Sequence, residues 1–311
     1  MGRPLVNSEA ILYGRLVQGA YAMFKRDPSN LRPEPQSGDI PDPYEFVAWI
    51  HMSDFMFLRT EPKFYGYVAR NKNTQADFAV ALRGTEGLAE WWDDASAFLV
   101  PFTQVPHVGW VAHGFDKIYS TLQIEQHPGT VGFLMEATEA VHLPALQGSF
   151  ADQLEQLHQR LERFSIRKAT VTDEIGDQKD DEKDRPERPY IVTGHSLGAA
   201  LTTLFVMENE EKQKFDITTS CKFASPRVGN MLFVGAFNLL PITSWRIVNS
   251  CDVVPKLPLH IPVGFDYGHV NTAYEFSSEG MAKMNPACWH SMETYLHWLD
   301  PNLPVEACCK P

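Results

Sequence analysis

The segment with the clearest chemical content is Gly194-His195-Ser196-Leu197-Gly198, a serine with glycine two positions to either side. A serine hydroxyl becomes a nucleophile only when a base takes its proton and donors await the oxyanion it creates. The G-x-S-x-G spacing suits that chemistry on a sharp strand-to-helix turn, where side chains at the glycine positions would collide with strand or helix. Tyr190-Ile191-Val192-Thr193 reads as the strand, and Ala199-Ala200 opens a helix running to about Met207. The helix start presents N–H groups and a positive dipole end to Ser196, and the N–H of Leu197 is the first oxyanion donor.

Such a nucleophile needs an acid and then a base later in the chain. Asp252 lies just past the strand-like Arg246-Ile247-Val248-Asn249, where α/β sheets gather their active-site loops. On its own it reads more readily as a turn cap before Pro255, and Asp266 is the alternative acid. His260, His269, His290 and His297 are the candidate bases. His297 falls inside a helical stretch opening at Ser291 and reads as packing, while His113 and His195 read as packing residues or supports of the site rather than catalysts.

The elements that must position these groups follow from periodicity. Residues 8–25 carry Ile11, Leu12, Leu16, Val17, Ala20, Tyr21 and Phe24 at helical spacing, opened by Ser8 and closed near Asp27-Pro28, before a loop over 29–43. Phe64 to Ala69 and Asp77 to Leu82 read as strands, the second apolar enough to be covered on both faces. Ser149 to Phe164 reads as an amphipathic helix, and the charge-crowded run Asp173 to Arg188 as a solvated loop. Cys221 to Ala224 adds a strand, and strands alternating with helices imply a mainly parallel sheet with helices on its faces.

Five ordered segments carry a family resemblance. They are Ala81-Leu82-Arg83-Gly84-Thr85 with Trp91-Trp92-Asp93-Asp94, then Val111-Ala112-His113-Gly114-Phe115, then Val192 to Ala200, Phe223 to Asn230, and Arg246 to Pro258. Together the stretch from about Phe64 to His290 resembles the class 3 lipases, the fungal-type triacylglycerol lipases and their relatives. The resemblance implies an α/β-hydrolase fold with Ser196 as nucleophile, Asp252 as acid and His290 as base. It makes His269 the family's structural histidine and gives the second oxyanion donor to Thr85, on a turn shaped by Arg83 and Gly84. The stretch between Phe115 and Tyr190 is longer than in compact fungal enzymes. We therefore expect one α/β-hydrolase domain over 1–311, with residues 120–188 as a helical and acidic insertion or cap. Residues 86–102 hold Leu88, Trp91, Trp92, Ala95, Phe98 and Leu99, which suit either a core-facing helix or a cover over an acyl groove.

Composition narrows the partners. The formal net charge of −12 over 311 residues argues against nucleic acid and against a purely electrostatic hold on an anionic membrane, leaving a local apolar patch free for transient lipid contact. No window has the long apolar run of a transmembrane helix, and the first residues show neither a secretory core nor a myristoylation pattern. With five cysteines at no metal-ligating spacing, the chain is expected in the cytoplasm with free thiols, a Cys251–Cys288 bridge being the weaker alternative. The expected activity is hydrolysis of a lipid-like ester, a medium-chain ester or monoacylglycerol, with no metal or organic cofactor. The alternatives are acyl transfer by the same residues and a non-catalytic lipid-binding protein. Oligomeric state is not legible.

Overall fold

Helix α1 (Asn7–Arg26) is built from the apolar stripe that the periodicity predicts, with Leu16, Val17, Ala20 and Met23 fully buried. A computed structural model describes residues 3–53, 61–85, 98–131, 144–172, 189–258 and 266–311, the side chains of 131 and 164–172 excepted. The run 173–188 and His260 lie outside the described residues.

Eight strands form the main sheet. They are β1 (Tyr44–Ser53), β2 (Pro62–Asn71), β3 (Phe78–Leu82), β6 (Gln123–Gln126), β7 (Pro189–His195), β8 (Asp216–Phe223), β10 (Thr243–Asn249) and β12 (Ala273–Phe276). Their order is β12-β10-β8-β7-β3-β2-β1-β6; the β12 to β3 half is parallel and the remainder antiparallel. Strand β1, which the sequence pattern did not single out, pairs on both sides and is mostly buried. In β3 all five residues are buried: Phe78, Val80 and Leu82 face one core cluster, Ala79 and Ala81 the other. A smaller antiparallel sheet, ordered β11-β9-β5-β4, joins β4 (Leu99–Pro101), β5 (Trp110–Ala112), β9 (Gly229–Asn230) and β11 (Tyr267–Gly268).

Helices cover both faces of the main sheet. α1 and α7 (Met292–Leu299) bury Leu16, Met23, Tyr295 and Leu296 against one face with Trp245 and Phe223. On the other lie α2 (His113–Tyr119), α3 (Phe150–Thr172), α4 (Leu197–Lys212) and α5 (Met231–Asn238), which contribute Phe115, Leu154, Leu204, Phe205 and Phe237. Ser149 opens α3 by accepting from the Asp152 N–H, and the helix runs further than Phe164, where the sequence pattern ends it. Residues 86–97 of the segment considered as a cover lie outside the described residues; its end is not helical, because Leu99–Pro101 form β4 and Phe102 is in the core.

The free-thiol expectation needs correcting. Cys288 and Cys309 form a disulfide, while Cys221, Cys251 and Cys308 are free. Counting cysteines could not reveal this, because an odd total is compatible with one bridge and spare thiols. The bridge ties the C-terminal segment to α6 (Pro286–His290), which ends on one of the candidate bases. Its loop has a sequence separation of 21, which by chain entropy is worth on the order of 3 kcal/mol. Reduction with dithiothreitol should lower the thermal midpoint, and a Cys309→Ser variant should already melt at the reduced value.

One buried cation has a pH consequence. Lys222 on β8 is fully buried, bound to Ser244 Oγ at 2.5 Å and Ser220 Oγ at 3.3 Å, beside its strand partner Arg246. Burial pushes its ammonium from the ordinary 10.5 down to about 7. Below that pH both folded and unfolded chains carry the charge and the fold bears the full desolvation cost. Between about 7 and 10.5 the folded chain has shed a proton that the unfolded chain keeps, so stability from this group rises with pH. Lys222→Met should therefore be more stable than the parent at pH 6, with the gap in urea midpoint narrowing toward pH 10.

Candidate active site

Strand β7 delivers Ser196 to the carboxyl end of the sheet. Its backbone sits at φ 58° and ψ −124°, and its N–H donates to the Phe223 carbonyl at 2.9 Å. A non-glycine residue held at positive φ stores strain, which persists only where the surroundings over-determine it. Here a Cβ on Gly194 would meet the Gly198 carbonyl oxygen at 2.4 Å, and one on Gly198 would meet the Leu82 and Arg83 carbonyl oxygens at 2.4 and 2.5 Å. The chain can turn from β7 into α4 this tightly only with glycine at both places.

The turn after β3 lies alongside. Leu82 is in register with Gly194, which sets Arg83-Gly84-Thr85 beside the elbow, at the carboxyl ends of the parallel strands. A Cβ on Gly84 would come within 2.8 Å of Ser196 Cβ. Arg83 is buried under Phe24, whose ring centroid is 3.5 Å from the guanidinium carbon. It donates Nε and Nη2 to the Phe64 carbonyl at 3.1 and 2.8 Å, and Nη1 to the Gly84 carbonyl at 2.7 Å. Since a peptide is planar and trans, holding the Gly84 carbonyl also aims the Thr85 N–H to the opposite side.

Asp252 and His290 meet directly, His290 Nδ1 donating to Asp252 Oδ2 at 2.6 Å. The same carboxylate oxygen accepts the Tyr295 hydroxyl at 2.8 Å, and Oδ1 accepts the Val254 N–H at 2.9 Å. Burial, and then the nearby Asp252, push the Tyr295 phenol well above its ordinary value, so it stays a donor. Asn249 binds Ser278 Oγ at 2.7 Å and the Trp289 carbonyl at 2.8 Å, pinning the end of β10 to the residue before His290. His290 itself sits at the joint between α6 and α7, fixed by Asn285 capping the first helix and Ser291 the second. Since a carboxylate only accepts, His290 Nδ1 carries the proton of this bond.

Ser196 Oγ, His290 Nε2 and Thr85 Oγ1 are buried with no hydrogen-bond partner among the described residues. A buried polar atom without a partner calls for an explanation, and a catalytic role is one. These three belong to the elbow, to the turn after β3 and to the end of α6. Leu197, the first residue of α4, has an N–H in the turn that lacks intrahelical partners.

The other candidates lie elsewhere. Asp266 is exposed, and His269 Nε2 donates to the Pro255 carbonyl at 2.6 Å, with burial lowering its pKa to about 3. His297 bonds the Leu303 carbonyl at 2.6 Å, and His113 stacks on Phe98 at 4.5 Å. Tyr295, Asn249 and Tyr21 were not singled out as site residues from sequence; only Asn249 carried a signal, in its spacing from Asp252. Among the described residues, the one group with metal-ligating spacing, Glu306, Cys308 and Cys309, uses a sulfur already in the disulfide.

Comparison with known proteins bears on the family and the fold. The profile of Lipase (class 3) matches residues 79–261, more than half of the chain, and stops short of His290. Phospholipase A1-Igamma2, chloroplastic, of Arabidopsis thaliana is 26% identical over 96% of this chain and 61% of its own length. Phospholipase A1-II 1 of Oryza sativa subsp. indica is 30% identical over 71% of this chain and 49% of its own. The chain thus spans about half to three fifths of these curated relatives. Among solved structures, the Rhizomucor miehei triacylglyceride lipase superposes with a TM-score of 0.53 at 18% identity, covering 86% of this chain and 79% of that one. The lipase of Rhizopus microsporus var. chinensis gives 0.52 at 19%, covering 86% and 74%. These likenesses establish the α/β-hydrolase fold.

The cytoplasmic expectation is overturned. Three of the Arabidopsis thaliana relatives are chloroplastic by name, which speaks against the cytoplasm as the expected compartment. The lack of a secretory core or lipid-anchor pattern in the first residues does not select a compartment. Its free-thiol premise also fails at Cys288–Cys309. With the profile match, the ordered motifs and the fold in agreement, the chain belongs to the class 3 lipase family.

Proposed function

We propose that this chain hydrolyses carboxylic esters of lipids through Ser196, His290 and Asp252. The observation that carries the reading is the Asp252–His290 hydrogen bond of 2.6 Å at the sheet end where Ser196 is held in its strained turn. His290 Nε2 takes the Ser196 proton as the hydroxyl attacks the ester carbonyl, and Asp252 stabilises the imidazolium that results. The Leu197 and Thr85 N–H groups receive the developing oxyanion, with the Thr85 hydroxyl as a further donor. Collapse expels the alcohol, protonated by His290, and water then cleaves the acyl-enzyme by the same route. Nothing in this chemistry calls for a metal or organic cofactor.

The activities for which the plant relatives are named favour a phospholipid acyl ester over the medium-chain ester or monoacylglycerol expected from sequence. Their chloroplastic names favour a plastid as the compartment. No helix among the described residues is long and apolar enough to cross a membrane, so substrate would be met at a lipid surface or in dispersion. The stretch 120–188 is proposed to be an insertion within one hydrolase domain.

Ser196→Ala should leave the protein folded and lower ester hydrolysis by ~10⁴-fold or more. Retention of a substantial fraction of activity would remove Ser196 from the mechanism. His290→Ala should fail to the same extent, and the double variant no further, because triad members act as one unit. His297→Ala should change the melting temperature more than the rate; the reverse pattern would move the base. Release of fatty acid from a phospholipid by the parent, compared with a short p-nitrophenyl ester, decides the substrate class.

A further inference from the structure

Tyr21 takes no part in the mechanism above, yet its hydroxyl touches the site at two points. It lies near the end of α1, 63 residues before Gly84 and 174 before His195. The Gly84 N–H donates to Tyr21 Oη at 2.7 Å, and Tyr21 Oη is 2.8 Å from His195 Nδ1. The other nitrogen of that ring, His195 Nε2, is 2.8 Å from the His290 main-chain carbonyl.

The direction of each bond follows from the chemistry of its atoms. A carbonyl oxygen only accepts, so His195 Nε2 carries a proton and donates to His290. His195 is fully buried, and burial together with the neighbouring His290 holds its pKa well below the ordinary value, so the ring is neutral. Its Nδ1 is therefore an acceptor and takes the Tyr21 proton, while Tyr21 Oη accepts from Gly84. The result is one oriented chain, from the Gly84 N–H through Tyr21 and His195 to the backbone of His290.

Gly84 is held from both sides by this arrangement. Tyr21 binds the N–H of the peptide before it, and Arg83 Nη1 binds the carbonyl of the peptide after it, at 2.7 Å. A Cβ at Gly84 would lie 2.5 Å from Tyr21 Oη, so the hydroxyl occupies the space that a side chain would need. The two peptide planes that together aim the Thr85 N–H are thereby restrained. A tyrosine that merely packed α1 against the sheet would need only its ring.

We propose that Tyr21 and His195 are positioning residues that keep the oxyanion turn and His290 at one mutual spacing. The inference rests on the roles assigned above to Ser196, His290 and Thr85. Its predicted signature is a loss in the transition state without a matching loss in substrate binding.

Tyr21→Phe, which retains the ring, tests this in the full chain with a short p-nitrophenyl ester. The expected result is a kcat lower by roughly ten- to a hundredfold, the range that a small misplacement of reacting groups produces. KM should stay within about twofold, as for an interaction made mainly in the transition state. Affinity for a trifluoromethyl ketone, which forms an oxyanion adduct at the serine, should fall in parallel with kcat. His195→Asn should lower kcat as well, and combining it with Tyr21→Phe should add little. An unchanged kcat in Tyr21→Phe, a fall in kcat with no loss of ketone affinity, or additive losses in the double variant would each overturn the proposal. Hydrogen exchange at the Gly84 amide reads the link without reference to activity. Faster exchange in Tyr21→Phe is expected, and unaltered exchange would also overturn it. If Ser196→Ala is as active as the parent, the reading of the site falls, while the exchange measurement still decides the link.

Discussion

Ser196 occupies a backbone conformation that L-residues avoid, and the parallel register of β3, β7 and β8 is what makes that conformation the only one available. The elbow is gripped from two directions. Its N–H is bound to the end of β8, and the first turn of α4 is pressed against the carbonyls at the end of β3 through the bare Cα of Gly198. Hydrophobic burial on both faces of the sheet supplies the force, since β3 and α4 are almost wholly enclosed. A local strain of order 1–3 kcal/mol is sustainable only because so much apolar packing would be lost by relaxing it.

Around that elbow the fold assembles groups that would be costly if incompletely paired. Asp252 is a buried carboxylate, and three donors meet it: the nearby Val254 N–H, and His290 and Tyr295 from the C-terminal helices. Arg83 is a buried cation whose guanidinium is spent on main-chain carbonyls, with aromatic rings of Phe24 and Tyr65 beside it. Charge-assisted bonds of this kind are directional, so they set angles where apolar packing sets only distances. Ser196 Oγ, His290 Nε2 and Thr85 Oγ1, by contrast, are among the buried polar atoms that find no hydrogen-bond partner among the described residues.

The histidine arrives by a different device. It lies at the joint of two short helices, neither long enough to be stable alone, so its position depends on caps and ties: Asn285 and Ser291 at the helix starts, Asn249 on Trp289, and the disulfide through Cys288. Tyr21 and His195 add a tie from α1, on the face of the sheet away from α4. The proposed nucleophile is therefore held by regular structure, and the proposed base by a set of specific contacts.

The nucleophile motif, α1, β3 and the strand-helix alternation were legible in the sequence because each is a local pattern. Five consecutive residues define the elbow, and apolar periodicity over one element defines a helix or a buried strand. Asp252 and His290 could be chosen over Asp266, His260, His269 and His297 only through the family resemblance, since their pairing spans 38 residues and no local rule predicts it. Strand β1 escaped notice because its mostly buried run lacks the alternation that marks a half-exposed strand. The Cys288–Cys309 bridge, the burial of Lys222 and the reach of Tyr21 to Gly84 and His195 were decided by the tertiary structure alone. Each depends on which distant segments the sheet order brings side by side, and that order is settled by the burial of the whole core rather than by any short stretch of chain.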